Sequence, residues 1–176
     1  MLLIQFTGLS GAGKTSIANS AKLVLDNEGI SVAIIDGDIF RKTWHHTLGF
    51  TKEDRYQNIR RMGEFAASLN DQFKVAIIAA INPYREIREE LEEKYNGITV
   101  FINCELTELI KRDTKGLYQK AFLPDDHPEK LWNLTGVNDP YEIPLSPHLT
   151  IYTHNETLKE STDNLINFIH ERLSGT

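Results

Sequence analysis

The sequence predicts an α/β fold in which a parallel sheet is flanked by helices. Short apolar runs alternate along the chain with segments whose apolar residues repeat at helical spacing. One run, residues 75–81, is apolar throughout, as expected for a strand covered on both faces. Strands and helices that alternate in this way form parallel sheets, because each helix returns the chain to the edge where the next strand begins.

The individual elements follow from the same patterns. We expect strands over residues 2–6, 32–35, 75–81, 98–102 and 149–152, and helices over 14–26, from Thr51 onward, over 83–94 and over 158–173. The helix after Thr51 has a capping sequence, because Asp54 follows three residues later.

The segment 112–147 differs from the rest of the chain. It holds five of the six prolines, many polar residues and little periodicity. A loop of this length inside a compact domain is usually functional. We therefore interpret it as a mobile lid over an active site, with a plain linker as the alternative, and we expect residues 1–176 to form a single domain.

Composition excludes several classes of protein. The 176 residues include 19 Lys and Arg against 25 Asp and Glu, with no long basic run, so we expect no nucleic-acid or membrane partner. The apolar start of the chain meets glycines at once and lacks a basic leader, which predicts a strand and not a signal peptide.

Cys104 is the single cysteine and lies in an apolar stretch. We therefore expect Cys104 to be a core side chain with a free thiol. A free thiol is consistent with a reducing compartment, so we expect a cytoplasmic location.

A phosphate-binding loop is the clearest motif. Its residues match the pattern Gly-x4-Gly-Lys-Ser/Thr and are Gly8, Leu9, Ser10, Gly11, Ala12, Gly13, Lys14 and Thr15. Glycines let backbone N–H groups approach phosphate oxygens, and the following helix points its positive end at the same anion. Lys14 is expected to reach the outer phosphates of ATP, and the Thr15 hydroxyl to bind Mg²⁺. The motif predicts a three-layer P-loop NTPase fold.

Two acids complete the predicted site. The strand over 32–35 runs into Asp36-Gly37-Asp38, whereas the strand over 75–81 is followed by the neutral Asn82. A P-loop enzyme needs a carboxylate beside the metal or the attacking hydroxyl. We expect Asp38 to be the general base and Asp36, with Thr15, to be on the metal side. A simple Asp-Gly-Asp turn is the alternative.

Basic residues predict a second anion pocket. Arginines follow the strand ends at positions 41, 55, 60, 61, 85 and 88, and the lid opens with Arg112 and Lys115. Cations so placed favour a substrate with a second anionic group and can stabilise charge on a transferred group. The adjacent pair His45 and His46 does not share a helix face, so we expect ordinary loop histidines there and not a metal site.

These residues resemble the adenylylsulfate kinase (APS kinase) family over nearly the full chain. The matching segments are the P-loop, Asp36 to Asp38 with Arg41, residues 48–50, Arg55 with residues 58–61, residues 83–85 with Arg88, residues 112–113, 115–118 and 120–121, and finally 135–136 and 140–144. The Lys-Gly-Leu-Tyr and Pro-Tyr-Glu-x-Pro segments are much more specific than the P-loop.

The resemblance implies transfer of the ATP γ-phosphate to the 3′-hydroxyl of adenylylsulfate (APS), giving PAPS in sulfate activation. It implies Asp38 as the base, Arg112 on the ATP side, and a possible homodimer. The residues implied at the acceptor are Asp38, Arg41, Phe50, Arg55, Asn58, Ile81, Asn82, Lys115, Gly116 and Leu117.

Several positions depart from the family pattern. Asn82 replaces a serine that is phosphorylated in some members, which excludes a phosphoserine intermediate there and favours direct transfer. Ile39 replaces an asparagine, Phe122 an arginine, and Leu134 a phenylalanine that stacks on the acceptor's adenine; residues 124–128 resemble an insertion. The alternatives are therefore a same-fold kinase for another activated nucleotide, such as cytidine diphosphoramidate, and a non-catalytic nucleotide-binding module. The acids Asp36 and Asp38 argue against the non-catalytic module.

Overall fold

The computed structural model describes residues 1–44 and 48–175. Within these ranges one parallel sheet has the strand order β2-β3-β1-β4-β5. Its strands are β1 (Leu2–Thr7), β2 (Val32–Asp36), β3 (Val75–Ala79), β4 (Ile98–Asn103) and β5 (Leu149–Tyr152). Every pair of neighbouring strands is parallel, which confirms the predicted sheet.

Helices cover both faces of the sheet. They are α1 (Lys14–Asn27), α2 (Gly37–Trp44), α3 (Lys52–Ser68), α4 (Arg85–Tyr95), α5 (Leu106–Arg112), α6 (Leu117–Ala121) and α7 (Leu158–Ser174). α1 and α7 pack together over one apolar core, and α3 and α4 pack over a second core on the opposite face. This three-layer arrangement matches the predicted fold class.

Helix starts follow the local sequence. At α3 the Thr51 side chain accepts from the Asp54 N–H, and Asp54 in return accepts from Thr51, so the predicted capping box forms. Thr157 and Glu160 make the same box at α7. Two unsatisfied N–H groups are thereby bonded at each helix start, which fixes where the helix begins.

Some predicted boundaries were wrong. β3 ends at Ala79 and not at residue 81, because the chain turns at Asn82, whose φ is 47°. α4 begins at Arg85 and not at Pro83. The sequence patterns also missed α2, α5 and α6, which are too short to show clear periodicity.

The lid segment is only partly an open loop. Tyr118 and Ala121 of α6, and Leu134 further along, are buried in the core beneath α1 and α7. Residues 124–130, in contrast, are mostly exposed. The expectation for His45 and His46 falls outside the described residues. No helix in the part of the chain that the structure describes is both long and apolar enough to span a membrane.

Candidate active site

The phosphate loop joins the end of β1 to the start of α1. Lys14, the first residue of α1, is nearly buried, and its Nζ donates to the carbonyls of Gly8 (2.9 Å) and Leu9 (2.8 Å). Burial lowers the pKa of Lys14 to about 8, against the opposing charges of Asp38 and Asp36. A lysine with this pKa is partly deprotonated above pH 7. A bound anion would raise the pKa and restore the full positive charge.

Asp36 connects the phosphate loop to α2. Its Oδ2 accepts from the Thr15 hydroxyl at 2.7 Å, and its Oδ1 accepts from the N–H groups of Asp38 (3.0 Å) and Ile39 (3.1 Å). The Asp-Gly-Asp segment is therefore a capped helix start and not an isolated turn. Thr15 and Asp36 bring together a hydroxyl and a carboxylate oxygen, which are ligands that Mg²⁺ prefers.

Asp38 pairs with the lid. Lys115 Nζ lies 2.5 Å from Asp38 Oδ2, with both side chains more than half exposed. Burial raises the pKa of Asp38, but the hydrogen bond and charge of Lys115 and the charges of Lys14 and Lys42 outweigh it, so the pKa is below its ordinary value. The carboxylate therefore stays ionised beside the phosphate loop.

Two arginines surround Phe50. The guanidinium carbons of Arg41 and Arg55 lie 5.0 and 5.5 Å from the centre of the Phe50 ring. Arg41 also donates to the carbonyls of Leu48 (3.1 Å) and Gly49 (2.7 Å). Desolvation, with the nearby Arg55 charge, lowers the pKa of Arg41. The cluster is a half-exposed aromatic ring with positive charge on it, which suits a planar anionic ligand.

Asp139 is a partner of Arg55 that the sequence patterns missed. Arg55 Nη2 lies 2.5 Å from Asp139 Oδ2 and donates to the Asn133 carbonyl at 3.0 Å, and its Nε donates to the Phe50 carbonyl. The two side chains are only 8% and 19% exposed. Arg55 thus joins α3 to the end of the lid. The only sign of Asp139 in the sequence is that an acidic residue immediately precedes the Pro-Tyr-Glu-x-Pro segment.

Of the predicted acceptor residues, Asn58 and Asn82 are buried and Ile81 is partly buried. Asn58 donates to Met62 Sδ at 3.4 Å, and its Oδ1 is buried without a partner. The carbonyl of Ile81 accepts from Gly8 N–H and from the Thr7 hydroxyl. Asn82 is 1% exposed and donates to Gln5 Oε1 at 2.8 Å. The Asn82 side chain therefore lies against Gln5 in the interior, with its own Oδ1 buried and without a hydrogen-bond partner.

The lid residues start α6. Gly116 is its N-cap, Leu117 its first residue, and Asp113 accepts from the N–H groups of Tyr118 and Gln119. Arg112, at the end of α5, donates to the Thr153 carbonyl at 2.7 Å. Arg112 is thereby held next to β5, and Thr153 in turn contacts the phosphate loop.

The family follows from comparison with known proteins. A family model described as adenylylsulphate kinase matches residues 1–152. The chain belongs to the adenylylsulphate kinase family. A relative named adenylyl-sulfate kinase from Microcystis aeruginosa is 41% identical over 169 residues, which are 96% of this chain and 91% of that protein. Another, from Rippkaea orientalis, is 42% identical over 163 residues, covering 92% and 87% respectively.

Solved structures agree with the family assignment. An APS kinase from Mycobacterium tuberculosis, solved with AMPPNP and APS, matches with a TM-score of 0.87 and 31% identity over 96% of this chain and 97% of that one. A gluconokinase from Sinorhizobium meliloti, at 18% identity and a TM-score of 0.63 over 99% and 94% of the chains, shows the fold alone. The predicted family, P-loop fold and kinase class are confirmed.

The departures from the adenylylsulphate kinase pattern lie in different environments. Ile39 and Phe122 are exposed large apolar residues, whereas Leu134 is 4% exposed and packs in the core. The Leu134 N–H donates to Asn138 Oδ1 at 2.8 Å. Leu134 therefore offers no open face to a ligand in this state. Phe50 is the aromatic ring exposed beside the arginine cluster.

Proposed function

We propose that this kinase transfers the γ-phosphoryl group of ATP to the 3′-hydroxyl of APS, giving PAPS and ADP. The observation that carries the proposal is the position of Asp38. Asp38 is an ionised carboxylate at the start of α2. Its charge acts on Lys14 of the phosphate loop, and it accepts a hydrogen bond from Lys115 of the lid. A base beside a phosphate cradle and under a lid is the arrangement that phosphoryl transfer to an alcohol needs.

The bond changes follow from this placement. Asp38 accepts the proton of the 3′-hydroxyl while that oxygen forms its bond to the γ-phosphorus. The bond from the γ-phosphorus to the bridging oxygen breaks, and ADP leaves with that oxygen. Lys14 stabilises the negative charge on the transferred group, because a phosphate replaces the loop carbonyls as its partner. Asp38 then loses its proton to solvent.

Lys115 has two partners in this account. While it bonds Asp38 it holds the pKa of the carboxylate below the ordinary value, which makes Asp38 a weaker base. When both nucleotides are present, Lys115 moves to the phosphate oxygens and the acceptor hydroxyl takes its place on Asp38. The base thereby gains strength at the moment that its substrate arrives.

We assign Mg²⁺ to the oxygen atoms of Thr15 and Asp36, which lie 2.7 Å apart. A hydroxyl, a carboxylate and the phosphate oxygens of ATP form a ligand set that fits this ion. When bound, the ion would neutralise charge on the outer phosphates. Asp36 remains the cap of α2 through its other oxygen, so the metal ligand is rigidly placed.

The acceptor is assigned to the cluster of Arg41, Phe50 and Arg55. The exposed half of the Phe50 ring is the aromatic surface for adenine, and Arg41 offers charge to the sulfate and phosphate groups of APS. Arg55, which is paired with Asp139, adds its charge to the same cluster. The buried, unpartnered Oδ1 of Asn58 supplies an acceptor for an exocyclic amine once α3 adjusts. Gly116 and Leu117 close over both nucleotides, and Ile81 lines the floor near the phosphate loop.

A coupled ADP-release assay over a set of acceptors tests this assignment. We expect APS to stimulate release far above the rate with ATP alone, and AMP, which lacks the sulfate, to serve as the matched control. Release with cytidine diphosphoramidate and not with APS would select the other activated nucleotide. ATP binding without stimulated turnover would leave a regulatory module.

We further infer a cytoplasmic location, because both the use of ATP and a reduced Cys104 are compatible with it. From the family resemblance we also infer a homodimer. The net charge of −6 argues against a nucleic-acid partner. Light scattering on the purified protein tests the dimer. A monomer at the concentrations used for the kinetic assay would contradict it.

A further inference from the structure

We propose that Tyr118 and Thr153 are positioning residues that aim the phosphate-binding N–H groups of the P-loop. We call these two residues the loop anchors. The inference rests on the ATP-binding part of the proposed function and does not depend on the identity of the acceptor. Neither residue belongs to the P-loop sequence pattern.

Each loop anchor donates to one carbonyl of the P-loop. The Tyr118 hydroxyl donates to the Ser10 carbonyl at 2.9 Å, across 108 residues of sequence. The Thr153 hydroxyl donates to the Ala12 carbonyl at 3.0 Å, across 141 residues. Both anchors are nearly buried, so water competes little for these bonds.

Peptide geometry converts these bonds into control of the N–H groups. In a planar trans peptide the carbonyl of one residue and the N–H of the next point in opposite directions. A carbonyl of Ser10 that is held outward therefore turns the Gly11 N–H inward, and a carbonyl of Ala12 held outward does the same for Gly13. N–H groups turned inward are what a P-loop offers to phosphate oxygens.

Each of the two controlled peptides is followed by a glycine. Gly11 and Gly13 have φ values of 78° and 97°, in the left-handed region. A glycine has no Cβ that disfavours rotation of its flanking peptides, so steric effects alone do not hold this conformation. A rotated peptide would instead direct a carbonyl oxygen at the phosphates, where like charges repel.

The loop anchors are themselves held in place by the lid entrance. Asp113 accepts from the Tyr118 N–H at 3.1 Å, and Arg112 donates to the Thr153 carbonyl at 2.7 Å. The Thr153 N–H donates to the Asn103 carbonyl at 2.9 Å, which continues the strand ladder. The end of α5, the start of α6 and the end of β5 thus converge on the P-loop.

Variants that remove only a hydroxyl test the inference. In Tyr118→Phe and Thr153→Val, the dissociation constant for ATP, measured by calorimetry without acceptor, is expected to rise about tenfold each, as for loss of one buried hydrogen bond. The KM for the acceptor is expected to stay unchanged. Thr153→Ser keeps the hydroxyl and is expected to retain wild-type affinity for ATP.

Matched controls separate positioning from general stability. Tyr56→Phe removes a tyrosine hydroxyl that donates to Glu86 at 2.7 Å on the opposite face of the sheet, and Thr162→Val replaces a buried threonine whose hydroxyl has no partner. Both are expected to bind ATP as wild type does.

Equal ATP affinity in wild type, Tyr118→Phe and Thr153→Val would overturn the inference, even if the melting temperature of the variants fell. A wild-type protein that binds ATP but does not phosphorylate APS would overturn the proposed acceptor and leave the loop anchors intact.

Discussion

Lys115 of the lid lies 2.5 Å from the Asp38 carboxylate at the start of α2. The pair joins the lid to the candidate base across 77 residues of sequence. It lies beside the Lys14 ammonium, so the lid and the phosphate loop both act on the same carboxylate. Opening this pair is therefore part of the catalytic cycle that we propose.

Replacing the lid lysine separates its catalytic role from its contribution to stability. Lys115→Met is expected to lower kcat by about 100-fold, because a cation over the transferred group is lost. The melting temperature should change little, since an exposed ion pair contributes about 1 kcal/mol or less. Kinetics and thermal unfolding check both expectations.

Lys120→Met is the matched control, because Lys120 also lies in the lid and pairs with the exposed Glu129 at 3.5 Å. Its kcat should equal that of wild type. An equal loss of kcat in the two variants would show that the lid, and not Lys115 itself, is responsible.

Lys14 should take up a proton when ATP binds. Burial lowers its pKa from the ordinary 10.5 to about 8 in the nucleotide-free protein, and bound phosphates raise it again. At about pH 8.5 part of the lysine is neutral before binding and charged after it, whereas near pH 6.5 it is charged throughout. Calorimetry in two buffers of different ionisation enthalpy measures this uptake. Binding heats that do not depend on buffer at either pH would contradict it.

The same pKa shift affects folding with a definite sign. Between about pH 8 and 10.5 the unfolded chain keeps a proton on Lys14 that the folded protein has released. The cost of burying the charged lysine, present in full below pH 8, is therefore relieved as the pH rises through this window. Lys14→Met should increase the stability of the nucleotide-free protein most at neutral pH, and urea unfolding at two pH values measures the difference.

Asp139 should be important for both stability and acceptor binding. In Asp139→Asn the buried Arg55 keeps its charge without a carboxylate, which costs about 3 kcal/mol or more. The KM for the acceptor should rise as well, because Arg55 contacts Phe50. Urea unfolding and acceptor titration check these outcomes.

The exposed pair of Lys159 and Asp163 provides the comparison, since it has the same 2.5 Å separation on the surface of α7. Asp163→Asn should lower the free energy of unfolding far less than Asp139→Asn does, because solvent screens an exposed pair, and it should leave the acceptor KM unchanged. If the two variants lost equal stability, burial of the Arg55 pair would not have the effect that we assign to it.

The two capping boxes distinguish a helix near the site from one far from it. Thr51→Ala and Thr157→Ala are each expected to cost about 1 kcal/mol, because each leaves helix N–H groups without an acceptor. Only Thr51→Ala should also raise the acceptor KM, since Thr51 follows Phe50. Unfolding and kinetics of the pair measure this contrast. A matching KM increase in Thr157→Ala would contradict it.

Local patterns explain how much of the fold was predictable. The apolar runs predicted each strand of the described sheet, and the Thr51 and P-loop motifs predicted the starts of α3 and α1. α2 escaped prediction because it is short and depends on Asp36, outside the helix, as its cap. The end of β3 was misplaced because Ala80 and Ile81 are apolar but lie beyond the strand.

Long-range pairs explain what the sequence could not predict at the site. Arg55 and Asp139 are 84 residues apart, and Tyr118 and Ser10 are 108 residues apart. Neither pair leaves a periodic signal, because each depends on how the lid returns to the sheet. The burial of Asn82 and Leu134 depends in the same way on packing that only the folded chain reveals.

The most direct test of the account compares wild type with Asp38→Asn in one assay that quantifies 3′-phosphorylated APS at saturating ATP and APS. Asp71→Asn, at an exposed turn before β3, is the control. We expect the Asp38 variant to bind ATP normally and to form product at least about 100-fold more slowly, as for loss of a general base. Product formation by Asp38→Asn at the wild-type rate would contradict the assignment of Asp38 as the base.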